Sequence, residues 1–250
     1  LSKIGKVVIK NSRKHKYLFL NSKLIMSSHT FNTFYNGFAK SKMKYYMDLL
    51  DYKFVWLQHG VTYNNVCKAA NKYNTMSDYI VITTTREKEE ISSDRYFYNM
   101  NDLIECGCPR YDYLENDTKN IITVIPTWRR YLSGKTLKNG FHGIKEGFEH
   151  SDYYINYSKV LSSNKLKKLL KDNNNKLNFI LHPGMNGYEG SFEKFNDDVI
   201  NIVPVKDVDY SKLFSESKLM ITDFSSVFFD FSYLKKPLIY YQFDKDRFYG

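Results

Sequence analysis

The sequence predicts an α/β protein built on two parallel sheets. Short apolar runs alternate with helical patterns along the whole chain, and polar clusters recur where the apolar runs end. No internal repeat or low-complexity tract interrupts this alternation.

In the first half, strands are expected at residues 7–9, 24–26, 54–57, Tyr79–Ile82 and Leu103–Glu105. Each is a short apolar run with polar residues nearby, the pattern of a strand inside a sheet. Helical patterns lie between them at residues 41–50 and 86–92. In the second half, strands are expected at Ile121–Ile125, 178–181, 199–203, 219–221 and 238–241. Helices are expected at 157–171, 210–215 and Val227–Tyr233. The polar stretch Glu-Asn-Asp-Thr-Lys-Asn at 115–120 marks the expected boundary, giving one domain over 1–118 and another over 119–250.

At 250 residues the chain can bury one large core or two smaller ones, and 42% hydrophobic with 17% aromatic content excludes a disordered chain. The net charge of +10 favours an acidic partner: nucleic acid, an anionic membrane face or a phosphate-rich substrate. No apolar run approaches the roughly 20 residues that span a bilayer, and residues 1–10 lack the apolar core of a secretory signal. The chain begins at Leu1 and is expected to be a piece of a longer protein. Its three cysteines are expected to stay unpaired in a reducing cytoplasm, since Cys106-Gly-Cys108 matches no usual zinc spacing.

Open parallel sheets bind ligands beyond the carboxyl ends of their strands. Four polar clusters fall at such places: Gln58-His59-Gly60, Pro126-Thr127-Trp128-Arg129, His182-Pro183-Gly184, and Thr222-Asp223-Phe224-Ser225-Ser226. The last ends a strand and opens a helix, a natural seat for an anion because the first helical N–H groups are unpaired. Asp223 and Ser225 read equally well as plain helix caps.

His59 is followed by Gly60, which permits a tight turn exposing the imidazole for general-base work. It reads equally as a strand-end histidine bonded to a backbone carbonyl. His182 precedes Pro183, which holds the backbone extended, and can donate a hydrogen bond to a phosphoryl oxygen. Arg129 can neutralise the same charge, although beside Arg130 it has the look of an ordinary surface cation. Asp230 lies one helical turn after Ser226 and can accept from ligand hydroxyls or steady the serine turn. Asp209, within an Asp-x-Asp pattern, reads as the cap of the following helix. Leu161, Leu166, Leu169 and Leu170 are spaced as a core-facing stripe, which leaves the lysines of 164–171 to solvent rather than to a membrane. Neither a phosphate loop of the G-x-x-x-x-G-K-[ST] kind nor a G-x-G-x-x-G turn is present in the sequence.

The ordered set His59-Gly60, Gly107-Cys108-Pro109-Arg110-Tyr111-Asp112, Pro126-Thr127-Trp128-Arg129, His182-Pro183, and the run from Ile221 to Asp230 resembles the CDP-glycerol glycerophosphotransferase family. The run Lys236-Pro237-Leu238-Ile239-Tyr240-Tyr241-Gln242-Phe243-Asp244 is similar to the family's late strand. The resemblance implies a GT-B-like fold, two Rossmann-like parallel-sheet domains facing a cleft, with no metal and no cofactor. It implies that 1–118 is the acceptor side, with His59 as catalytic base. It implies that 119–250 binds a CDP-activated polyol donor through Thr127, Arg129, His182, Thr222, Asp223, Ser225, Ser226 and Asp230.

The implied partners are that donor, a lipid-linked or polymeric hydroxyl acceptor and an anionic membrane surface, with no nucleic acid. The implied place is the cytoplasm, on the inner face of a bacterial plasma membrane. The family continues past the region matching Gly250, so its C-terminal helices are expected to be missing. Where members often read W-H-G-T-P-L-K, this chain has Gln58-His59-Gly60-Val61-Thr62-Tyr63. Two other readings stand beside this one: a GT-B glycosyltransferase of surface-polysaccharide synthesis, and a basic nucleic-acid-binding protein.

Overall fold

The computed structural model describes residues 5–249 apart from 31–37, 39–44, 46–49, 64, 133, 135–144 and 186. The helix expected at 41–50 falls mostly outside the described residues. The chain divides into two compact units, Leu1–Tyr111 and Asp112–Gly250. This division precedes the expected 118/119 boundary because the polar stretch is tied to the second unit. Leu114 packs against that unit's core, Ser211 Oγ donates to the Tyr113 carbonyl, and the Asp117 N–H donates to Ser215 Oγ.

The first unit holds four parallel strands in the order β1 (Leu24–Ser27), β2 (Lys53–Trp56), β3 (Tyr79–Ile82), β4 (Leu103–Glu105). Phe54 and Ile80 are fully buried, and with Trp56, Ile82, Ile91 and Tyr96 they form its core. Helix α1 (Arg13–Leu20) was not legible as a helix: only Phe19 along it is buried, so its apolar pattern is weak. Ser12 starts it by accepting from the His15 N–H. The strand expected at 7–9 is absent. Val7 and Ile9 are 67% and 81% exposed, and a run with no partner strand among the described residues gains no ladder. Helices α2 (Cys67–Ala70), α3 (Lys72–Thr75) and α4 (Thr85–Ile91) follow, α4 capped by Thr84.

The second unit holds five parallel strands: β5 (Ile121–Ile125), β6 (Lys176–Phe179), β7 (Ile200–Ile202), β8 (Ser217–Thr222) and β9 (Leu238–Tyr240). They lie in the order β7-β6-β5-β8-β9. The chain builds outward from β5 through β6 to β7, then returns to place β8 on the other side of β5. Strand order therefore reverses at β5, which makes the carboxyl ends of β5 and β8 the topological switch point of the sheet.

Alternate residues of each strand enter different apolar clusters. Val124 and Phe179 join Tyr157, Leu161 and Phe192, whereas Ile125, Ile180 and Met220 join Phe214 and Phe231. The period of two puts these clusters on opposite faces, so both faces are covered as a parallel sheet requires.

Helices α5 (Asp152–Leu161) and α6 (Asn164–Asp172) replace the single helix expected at 157–171. Ser163 accepts from the Leu166 N–H and starts α6 afresh, which shifts the helical phase. The leucine stripe is therefore broken: Leu161 and Leu170 are buried but Leu169 is 52% exposed. Lys167 and Lys171 pair with Asp197 and Asp198. Helices α7 (Tyr210–Glu216), α8 (Val227–Tyr233) and α9 (Lys245–Tyr249) complete the unit, and Asp209 caps α7. Buried Lys236 donates to the carbonyls of Phe214, Ser215 and Ser217, satisfying orphan acceptors at the end of α7. Among the described residues no helix is long and apolar enough to cross a membrane.

Candidate functional site

In the second unit the turns after β5, β6, β8 and β9 meet beyond the sheet's carboxyl edge. Asp223 ties together those after β5, β8 and β9. Its Oδ1 accepts from the Thr127 N–H at 2.8 Å, Thr127 Oγ1 at 2.5 Å and its neighbour's N–H, Phe224, at 2.6 Å. Its Oδ2 accepts from Arg129 Nη2 at 2.8 Å and the Tyr157 hydroxyl at 3.2 Å. Arg129 also grips Asp244 after β9, through Nε at 2.7 Å and Nη2 at 2.8 Å, and donates from Nη1 to the Thr127 carbonyl at 2.7 Å. Thr222 Oγ1 donates to the Ile125 carbonyl at 2.7 Å, adding a side-chain link between β8 and β5.

Arg129 is 0% exposed, neither a surface cation nor a side chain reaching for a ligand. Tyr153, Phe224, Phe243 and Phe248 surround its guanidinium with ring centroids at 5.1–5.9 Å. Burial alone would disfavour its charge. The hydrogen bonds it donates to Asp244 and the negative charge of Asp223 raise its pKa instead, so the ion stays charged inside the unit. Burial would likewise raise the Asp244 carboxyl, but bonds from Arg129 and Tyr131 hold it below the ordinary carboxylate range. The Tyr131 hydroxyl, half-buried and donating to Asp244, is pushed up to about 12. Arg129, Asp223 and Asp244 form a knot that fixes the turns, and each guanidinium nitrogen of Arg129 is engaged within the unit.

His182 follows β6 and is half-buried. Its Nδ1 accepts the Gly184 N–H at 2.9 Å, so in the neutral ring Nε2 carries the proton and is the donor. Burial pushes its pKa below the usual 6.5, opposed in part by the charge of Asp223. The ring is therefore neutral at pH 7 and offers one N–H. Pro183 opens a single 3-10 turn, Pro183–Met185, directly after His182.

The serine turn departs from the plain-cap reading of Asp223. Asp223 does not cap α8; its carboxylate is spent on the turn after β5. Ser226 occupies the N-cap position in an α-helical conformation, φ −64° and ψ −9°, and its side chain makes no capping bond. Ser225 is buried, its Oγ 3.5 Å from the Val227 N–H, and Asp230 is buried in the first turn of α8. A cavity of about 500 Å³ at the knot is lined by Trp128, Arg129, Arg130, Tyr131, Arg247, Phe248 and Tyr249. Neither His182 nor the serine turn lines it.

In the first unit His59 is exposed, in the turn after β2. The left-handed residue of that turn is Gln58, at φ 59°, and not Gly60. Arg110, from the G-x-P-R stretch, donates from Nη1 to the His59 carbonyl at 2.7 Å, so two distant sequence motifs meet within this unit. Local desolvation, with the positive charges of His29 and Arg110, pushes the imidazole below 6.5. It is therefore a neutral acceptor at pH 7. His29 escaped the sequence reading, yet Ser27-Ser28-His29 ends β1 as the other clusters end their strands.

Residues 1–249 match the model of a family described as CDP-Glycerol:Poly(glycerophosphate) glycerophosphotransferase. The chain belongs to this family. The minor teichoic acid biosynthesis protein GgaB of Bacillus subtilis strain 168 is 34% identical over 247 residues, covering 98% of this chain and 27% of that protein. A teichoic acid glycerol-phosphate transferase of Staphylococcus aureus is 26% identical, covering 76% of this chain and 47% of its own length. The chain thus spans about a quarter to a half of these relatives. A solved variant of the wall teichoic acid polymerase TagF superposes with a TM-score of 0.61 at 17% identity, covering 96% of this chain and 59% of that one. The two parallel-stranded sheets thus have the GT-B-like fold of TagF.

Proposed function

We propose that this chain forms the catalytic part of a polyol-phosphate transferase, moving glycerol phosphate or a related unit from a CDP-activated donor to a hydroxyl acceptor. One observation carries the reading most: three family motifs, P-T-W-R, H-P and T-D-F-S-S, end β5, β6 and β8 at the switch point of one sheet. The solved structures of TagF include a variant soaked with CDPG, which supports a CDP-activated donor for this fold.

In this reading the unit over Asp112–Gly250 is the donor side and the unit over Leu1–Tyr111 the acceptor side. His182 donates from Nε2 to a phosphoryl oxygen, and the hydroxyls of Ser225 and Ser226 add donors. Asp230 accepts from a ligand hydroxyl. Thr127, Thr222 and Asp223 shape the turns, and Arg129 keeps them in place from inside. His59 takes the proton of the acceptor hydroxyl. The acceptor oxygen bonds to the β-phosphorus, and the bond from that phosphorus to the bridging oxygen breaks. CMP leaves, a phosphodiester remains, and the proton rests on His59. Charge on the transferring group is met by hydrogen-bond donors set in advance.

The acceptor is a polymeric or lipid-linked polyol, and the enzyme works at an anionic membrane surface on the cytoplasmic side, where a net charge of +10 is suited. His59→Ala should abolish CMP release and leave the donor dissociation constant within about twofold. Loss of donor affinity together with turnover would make His59 a binding or structural residue and sink its assignment as base.

A further inference from the structure

We propose that Glu87 is a positioning residue for His59, a buried carboxylate that latches the turn presenting the imidazole; this rests on the reading of His59 as the base. Glu87 lies in the first turn of α4 and is 2% exposed. A carboxylate so buried is costly unless its lone pairs are met. Its two oxygens are met from different parts of the chain. Oε2 serves the turn it belongs to, accepting from the Thr83 N–H at 2.8 Å and Thr83 Oγ1 at 2.5 Å. Oε1 reaches the turn after β2, accepting from Gln58 Nε2 at 3.0 Å and the Thr62 N–H at 2.7 Å.

The second pair is more than helix capping demands, since Thr84 already caps α4. Gln58 completes the latch. Its Nε2 also donates to the Val81 carbonyl at 2.7 Å, and its Oε1 accepts from Thr62 Oγ1 at 2.7 Å. These bonds hold Gln58 in a left-handed conformation that side-chain-bearing residues seldom adopt. Arg110 fixes the His59 carbonyl from the other direction. The backbone on both sides of His59 is therefore tied down while the residue itself is exposed. A general base needs such fixed presentation, because a small misplacement of the accepting nitrogen costs rate without costing substrate affinity.

Glu87→Gln keeps the volume but sets an amide donor against one of the two donor pairs. Two readouts on the whole protein decide the matter. In hydrogen exchange, the Thr62 amide should exchange at least tenfold faster while the amides of β2 and β3 keep their protection. In steady-state turnover with CDP-glycerol, kcat should fall at least tenfold with the donor KM unchanged. If Glu87→Gln does not fold, Gln58→Met keeps Glu87, its helix and the Thr62 N–H bond while removing the Gln58 bonds to Glu87, Val81 and Thr62 Oγ1. It should give the same fall in kcat at unchanged donor KM, and full kcat in it overturns the latch. Unchanged Thr62 exchange in Glu87→Gln overturns the latch, and so does a loosened turn with full kcat. If the wild type releases no CMP from cytidine donors, the proposed function fails instead. The latch is then still decided by Thr62 exchange, and by whether the His59 ring signal in NMR passes from one environment to several.

Discussion

Gly184 shows how little room the proposed donor site leaves around His182. A Cβ built there would lie 3.2 Å from His182 Nδ1 and 3.3 Å from Trp128 Cγ, and the same residue donates the N–H that fixes the histidine tautomer. Gly184→Ala should therefore turn the ring and weaken CDP-donor binding by about tenfold, ~1.4 kcal/mol, with little change in melting temperature. Unchanged affinity in a calorimetric titration would show that His182 does not face the donor. His59 and His182 were legible in the sequence because each sits just beyond an apolar run, and strand ends are where open sheets collect ligands. Arg129 was legible as a motif residue and not as a role. Its two carboxylate partners lie 94 and 115 residues away, and no local pattern announces a pairing across three strands.

At the scale of elements, the Arg129 knot decides whether the turns after β5, β8 and β9 share one arrangement. Lysine keeps the charge but cannot present the planar fork that reaches Thr127, Asp223 and Asp244 together. Arg129→Lys should destabilise the protein by about 3 kcal/mol, since it leaves a buried carboxylate poorly paired. Urea unfolding measures this, and a cost below ~1 kcal/mol would demote the knot to incidental packing.

The strands were mostly legible to within about two residues because burial on both faces leaves continuous apolar runs. Several helices were not, among them α1, α2, α3 and α9. Helix α1 buries only Phe19, so the 3.6-residue period barely shows, and the break between α5 and α6 rests on Ser163, a polar residue easily read as solvent-facing helix. One of the two readings of the serine turn had Asp223 and Ser225 as plain helix caps. Competition from the turn after β5 for Asp223 lies outside any local window.

Across the whole molecule, both site histidines are shifted the same way. Desolvation leads at each, with His29 and Arg110 adding to it at His59 and Asp223 opposing it at His182. The folded state therefore binds fewer protons than the unfolded chain between the folded values and about 6.5. Stability from this source is complete above about pH 6.5 and is lost as pH falls through that value toward the folded ones. The proposed role of His59 as a neutral base places the acid limb of kcat/KM below pH 6.5 as well. A limb centred above pH 7 would contradict that assignment.

Family membership, two parallel sheets and strand-end motifs converge on one claim, that this chain seats a cytidine diphosphate donor. A thermal-shift titration with CDP-glycerol, CDP-ribitol, CMP, UDP-glucose and GDP-mannose tests it most directly. At about 100 times its dissociation constant a bound ligand adds roughly 2.7 kcal/mol of stability, well within measurement. The account predicts stabilisation by the cytidine ligands alone, with the better polyol naming the unit transferred. Stabilisation by UDP-glucose or GDP-mannose in preference to every cytidine ligand would contradict it.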